Sequence, residues 1–136
     1  DWAIFQLYTA TVPAIIRQAE GLAYADWLRS RERFQGGEDL VWEQDGQVHG
    51  WASVRPWRDG FLLEAVLLPD EESAFAPLVE AVAARGRPLY SLISSYETRL
   101  HHVAEDEGFR AQTEWALFIK RLLVRVPQTH LVPMRA

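Results

Sequence analysis

The chain has 136 residues, a net charge of −5 and no cysteine, and 49% of it is apolar, including six tryptophans. That length makes a single domain with one sizeable core, while the acidic balance argues against a nucleic-acid partner, which would call for a basic face. Without cysteine there is no disulfide framework, thiol nucleophile or thiolate metal site. The most apolar stretch, Trp115 to Val126, is broken by Lys120, Arg121 and Arg125 well short of the roughly 20 residues a bilayer requires, so no membrane partner is expected. The default expectation is a cytoplasmic protein.

The chain opens at Asp1, already inside a helical pattern, and reads as a fragment or as one domain of a longer polypeptide. Asp1 is placed to cap a first helix whose apolar stripe is Trp2, Ile4, Phe5, Leu7 and Tyr8. Pro13 suits the first turn of a second helix, carried by Ile15, Ile16 and Ala19 and stopped at Gly21. Asp26 to Arg29 reads as one more helical turn, and Arg31 to Asp39, with Gly36-Gly37, as a solvated loop.

Leu40–Glu43 and Val48–Arg55 flank Asp45-Gly46, a strong hairpin signal. The second of these strands alternates, with Val48, Gly50, Ala52 and Val54 on one face and His49, Trp51, Ser53 and Arg55 on the other. Gly50 and Ala52 leave room for a bulky neighbour. Pro56 to Gly60 turns the chain into Phe61–Leu68, an apolar run expected to be buried on both faces, with Glu64 alone in its middle. These three strands form an antiparallel meander. Beyond Pro69-Asp70, the spacing of Phe75, Leu78, Val79, Val82 and Ala83 predicts an amphipathic helix ending at Gly86. Pro88 to Ile93 reads as a strand parallel to Phe61–Leu68, because a helix joins them. Tyr96 to Glu107 follows as a helix with Leu100, Val103 and Ala104 inward, stopped at Gly108. Trp115 to Val126 reads as a last strand, and Pro127 and Pro133 mark 127–136 as a tail.

This order of elements, together with Leu67-Leu68-Pro69-Asp70 and Glu107-Gly108-Phe109-Arg110, resembles the GNAT acyltransferases. The first motif is similar to the "V-x-P-D/E" end of that family's fourth strand, the second to its "x-G-F" after the last helix. The resemblance implies an α/β fold over residues 1–126, with a mixed sheet and helices on both faces. It also implies a first strand that would precede Asp1, and acetyl-CoA held between two splayed parallel strands. The implied reaction is acetyl transfer to an amine that the sequence does not name. Its implied cofactor contacts are Val66, Leu67, Leu68, Ser73, Ala74 and Phe75.

Three positions depart from the family pattern. The phosphate loop R/Q-x-x-G-x-G/A should occupy Asp70 to Ala76, which holds no glycine and no basic residue. The tyrosine that often precedes "G-F" as general acid aligns with Ala104, and the asparagine at the start of that helix aligns near Glu97. Acetyl-CoA binding is therefore expected to be weak or absent. The alternative to an enzyme is a non-catalytic relative retained as a binding or assembly module, and a third reading is an unrelated α/β ligand-binding domain.

Glu64 is the catalytic candidate, since a carboxylate among apolar residues makes a stronger base. The competing reading has it face a solvated part of the sheet or pair with Arg55 or Arg58. His101 and His102 are adjacent on a helix and point apart, so no metal site is expected. Ser91, Ser94 and Ser95 lack a nucleophile-elbow pattern. The missing first strand would leave the Leu40–Glu43 edge unpaired, so a homodimer or a second domain of the same polypeptide is expected to cover it.

Overall fold

The computed structural model describes residues 2–21, 23–32, 37–114 and 116. Three helices lead the chain: α1 (Trp2–Thr11), α2 (Ala14–Glu20) and α3 (Tyr24–Glu32). Four strands follow, β1 (Glu38–Gln44), β2 (Gln47–Trp57), β3 (Gly60–Leu67) and β4 (Leu89–Ser91). Between β3 and β4 lie a short 3₁₀ turn at Glu72–Ala74 and helix α4 (Phe75–Ala83); α5 (Thr98–Asp106) comes after β4. The sheet order is β1-β2-β3-β4. The first two pairings are antiparallel and the third is parallel, which gives the expected meander and crossover. The expected capping by Asp1, part of the Gly36-Gly37 loop, the last strand and the tail lie outside the described residues.

Local chemistry accounts for most of these boundaries. Asp45 and Gly46 both take positive φ, 53° and 76°, as a two-residue hairpin turn requires for its twist to match the strands. Trp42 faces Gly50 while Glu43 faces Val48, so His49 is inserted as a bulge and leaves the ladder. Pro13 is the residue before α2, not its first-turn residue. At the end of α5, Gly108 has φ +90°. Its N–H donates to the Glu105 carbonyl at 2.9 Å and that of Phe109 to the Ala104 carbonyl at 3.0 Å. This is a Schellman stop, which needs a left-handed residue at Gly108, and it turns the Phe109 ring to within 6.1 Å of Phe75.

The core lies on one face of the sheet, where Ala52, Val54, Leu63 and Leu67 meet Phe75, Val79 and Val82 of α4 and Leu100 and Ala104 of α5. A Cβ at Gly50 would stand 2.6 Å from Leu67 and 3.6 Å from Trp42, so the bulky neighbours expected over that position are these two. Of the α4 stripe, Ala83 is exposed instead of buried. Helix α1 packs on β2 and β3 and buries Ile4 and Leu7. Phe5 lies 5.2 Å from Tyr24 and 5.4 Å from Trp27 between ring centroids. That aromatic contact gives α3 a buried anchor in Trp27, and α3 extends over nine residues where the sequence suggested one turn.

Two expectations about strands are corrected. Strand β3 is not buried on both faces, because Glu64 and Val66 are only half-buried. Strand β4 is three residues long, since the chain leaves β3 after Ser91, and Leu92 stands 51% exposed. Strand β1 is exposed along its whole length.

Candidate active site

The site begins where the parallel pair parts. Strands β3 and β4 pair at Phe61↔Leu89, Leu62↔Tyr90 and Leu63↔Ser91 and no further. At that point the Ser91 hydroxyl donates to the Leu63 carbonyl at 2.8 Å, satisfying an acceptor that a continued ladder would have used. Glu64 is the next residue on β3. A fork therefore opens between Glu64–Leu67 on one arm and the segment running from Leu92 to Glu97 on the other, at the carboxyl ends of parallel strands, the usual place for a ligand in an open α/β sheet.

Two clefts open from the fork. The first, about 370 Å³, lies over the sheet face that carries Trp51, Ser53, Arg55, Glu64 and Val66, with Tyr8, Glu20 and Trp27 as its helical wall. The second, about 400 Å³, runs along Leu67, Pro69, Asp70 and Glu72 to Arg99. Thr11, Tyr96 and Glu97 line both. The Thr11 hydroxyl donates to the Leu67 carbonyl at 3.2 Å and ties the end of α1 to the junction.

Glu64 faces the first cleft, opposite Ser53 in the sheet. Its Oε2 accepts from Arg55 Nη2 at 2.8 Å, with the two side chains 31% and 15% exposed. Glu64 is thus a cleft residue paired with Arg55, the partner that the competing reading names. Val66 lines the first cleft and Leu67 the second. Leu68 is half-buried, and Ser73 and Ala74 stand on the 3₁₀ turn. The Phe75 side chain is fully buried in the core, so it does not obstruct an approach to the turn and only its backbone could meet a ligand.

The turn before α4 uses three of its own N–H donors internally. The Glu71 N–H donates to the Leu68 carbonyl and that of Ala74 to Glu71, both at 3.0 Å, while the Phe75 N–H is directed to the carbonyls of Glu72 and Ser73. Its acidic side chains find partners on other elements: Asp70 is bonded to Arg99 of α5, and Glu71 lies 3.2 Å from His49 Nδ1, which the bulge in β2 presents.

Four side chains shape the junction, Tyr8, Glu20, Tyr96 and Glu97, and of these sequence reasoning marked only Glu97, near the family's asparagine position. The Tyr8 hydroxyl donates to Glu20. Burial, followed by this bond and the Glu20 charge, pushes the Tyr8 phenol far up, so it stays protonated. Burial also raises Tyr96. It raises Glu97 as well, against the opposing pull of the Ser94 N–H and the charge of His101. A carboxyl raised by burial is the better proton acceptor near neutral pH. The usable signal for Tyr96 and Glu97 was their place just past the carboxyl end of a parallel strand. Tyr8 and Glu20 are 12 residues apart on separate helices, and nothing local joins them. Ala104, where the family's tyrosine would stand, is buried in the core. Among the described residues, no group of three or more His, Cys, Asp or Glu side chains could hold a metal ion, and no helix is long and apolar enough to cross a membrane.

The chain has the GNAT acyltransferase fold. Its backbone superposes on that of the aminoglycoside N-acetyltransferase AAC(6')-Iy in complex with CoA with a TM-score of 0.54, over 78% of this chain and 84% of that one, at 20% identity. The same enzyme with a bisubstrate analog gives 0.51 over 78% and 86%, at 19% identity. A transcriptional regulator from Bacillus halodurans gives 0.56 over 85% and 91%, at 13% identity. No family model matches the sequence, and no curated protein matches it.

Proposed function

We propose that the chain transfers an acetyl group from acetyl-CoA to an amine. The observation that carries this reading is the fork after Leu63 and Ser91, whose two clefts meet at Thr11, Tyr96 and Glu97. The second cleft, with the β3 backbone at Val66, Leu67 and Leu68, suits an extended thioester arm. Ser73, Ala74 and Phe75 would meet its far end only through their backbone. The first cleft suits the acceptor, and a positively charged one, because among the described residues its lining has Glu20, Glu64 and Glu97 against Arg55. When bound, acetyl-CoA would supply an activated acyl carbon. Glu64, held in direction by Arg55, would accept a proton from the acceptor nitrogen, and the Tyr96 hydroxyl would be placed to donate one to the leaving thiolate. Incubation with acetyl-CoA and a panel of primary amines, read by mass spectrometry, tests the reading. A mass gain of one acetyl group supports it, and no acetylated product from any amine at millimolar concentrations removes it.

Binding is expected to be weak. Glycines normally let a phosphate approach such a turn, and a basic side chain offsets its charge. Here the N–H groups of Glu71, Ala74 and Phe75 are committed inside the turn, and Asp70 and Glu72 add negative charge to the cleft. Each carboxylate near a phosphate costs on the order of 1 kcal/mol in a partly solvated site. Calorimetry should give a Kd for acetyl-CoA in the high micromolar range or above, and a value below about 10 μM would contradict this account of the turn.

The exposed β1 edge supports a second reading, an assembly module, which is compatible with the first. Leu40, Val41 and Trp42 are 39%, 50% and 36% exposed on that edge, and an open apolar edge recruits another strand. We propose that a second copy of the chain, or a second domain of a longer polypeptide, pairs along it. Light scattering is expected to show a concentration-dependent dimer, and a monomer at every concentration would exclude pairing between copies.

A further inference from the structure

The turn after β3 has no basic residue, yet one basic side chain reaches it from another element. Arg99, the second residue of α5, is the one basic residue among the described residues lining the second cleft, across from Asp70 and Glu72. It is bonded to Asp70, and the two side chains are 68% and 78% exposed. An ion pair this open to water holds its members weakly. Arg99 can therefore exchange Asp70 for a stronger anion, and a pyrophosphate offers more charge and suits the planar, two-pronged guanidinium.

Building on the acetyl-CoA reading above, we propose that Arg99 is the residue that meets the phosphates of CoA, and that Asp70 competes with them for it. The charge missing from the turn is supplied from α5, and Asp70 is an internal rival of the ligand. Its backbone agrees with this view of a replaceable residue: Asp70 has φ +71°, a conformation in which glycine is unstrained. Asp70→Gly thus relaxes the turn, removes one negative charge and frees Arg99 in a single step.

Titrations with free CoA, followed by NMR, test the proposal on the parent chain, Arg99→Ala, Asp70→Gly and the double variant, with pantetheine as the phosphate-free control. Arg99→Ala should weaken CoA binding about fivefold, and Asp70→Gly should tighten it about tenfold. The double variant should lose most of that gain. Pantetheine should bind all four proteins alike. Arg99→Ala binding CoA as the parent does, or losing pantetheine to the same degree, overturns the assignment. If pantetheine binds while CoA fails to bind even Asp70→Gly, the role of Arg99 falls and the thioester cleft stands; if neither binds, the acetyl-CoA reading falls with it.

Discussion

Glu64→Gln is expected to lower kcat/KM for acetyl transfer at least about a hundredfold, the usual scale for removing a positioned general base. The substitution keeps the shape of the side chain and an oxygen for Arg55, so its structural cost is small. The pair it weakens is partly exposed, at 31% and 15%, and pairs of this kind contribute about 1 kcal/mol or less. For a chain of this length that is a fall in Tm of a few degrees at most. Steady-state kinetics and a melting curve on the same preparation separate the possibilities. A fall in Tm of 10 °C or more with an unchanged rate would make Glu64 a structural partner of Arg55 and nothing else.

Gly60→Ala should have the largest effect on stability. Gly60 opens β3 directly against the chain entering β4, and a Cβ there would lie 1.8 Å from the Pro88 carbonyl oxygen and 2.7 Å from its carbon. Both atoms belong to the backbone, and that carbonyl accepts the Phe61 N–H at 2.9 Å, so no side chain can swing aside. The two strands must move apart at the start of their short parallel pairing, which runs from Phe61↔Leu89 to Leu63↔Ser91. Overpacking of this kind costs about 3 kcal/mol or more, or on the order of 10 °C in Tm. Because the same pairing sets the fork, acetyl transfer should fall even at temperatures where the variant remains folded. A loss of less than about 1 kcal/mol in urea unfolding would mean that the β3–β4 contact is not as close as described.

The fold was legible where residues a few positions apart decide the outcome. Asp45-Gly46 specified its hairpin through turn chemistry, the Phe75–Val79–Val82 stripe specified α4 through its period, and Gly108 specified the end of α5 through its left-handed conformation. Sequence reasoning failed where a distant partner decides. Nothing near Trp27 shows that Phe5 awaits it, so α3 was read too short. The apolar run Pro88 to Ile93 looks uniform, but only three of its residues find a strand to pair with. The site divides in the same way. Glu64 stood out because a carboxylate among apolar neighbours is unusual. Tyr8, Glu20 and Arg99 are ordinary residues on ordinary helices, and only the packing of those helices brings them to a cleft. The partners of Asp70 and Glu71, Arg99 and His49, likewise come from other elements.

The Ser91 hydroxyl that closes the parallel ladder also acts as a ruler. On the acetyl-transfer reading proposed above, the distance from that bond to the end of β3 would set how deep the thioester arm can enter between the diverging strands. Each further pair in the ladder would shorten the slot by about 3.3 Å, a few methylene groups' worth, and each pair fewer would lengthen it by as much.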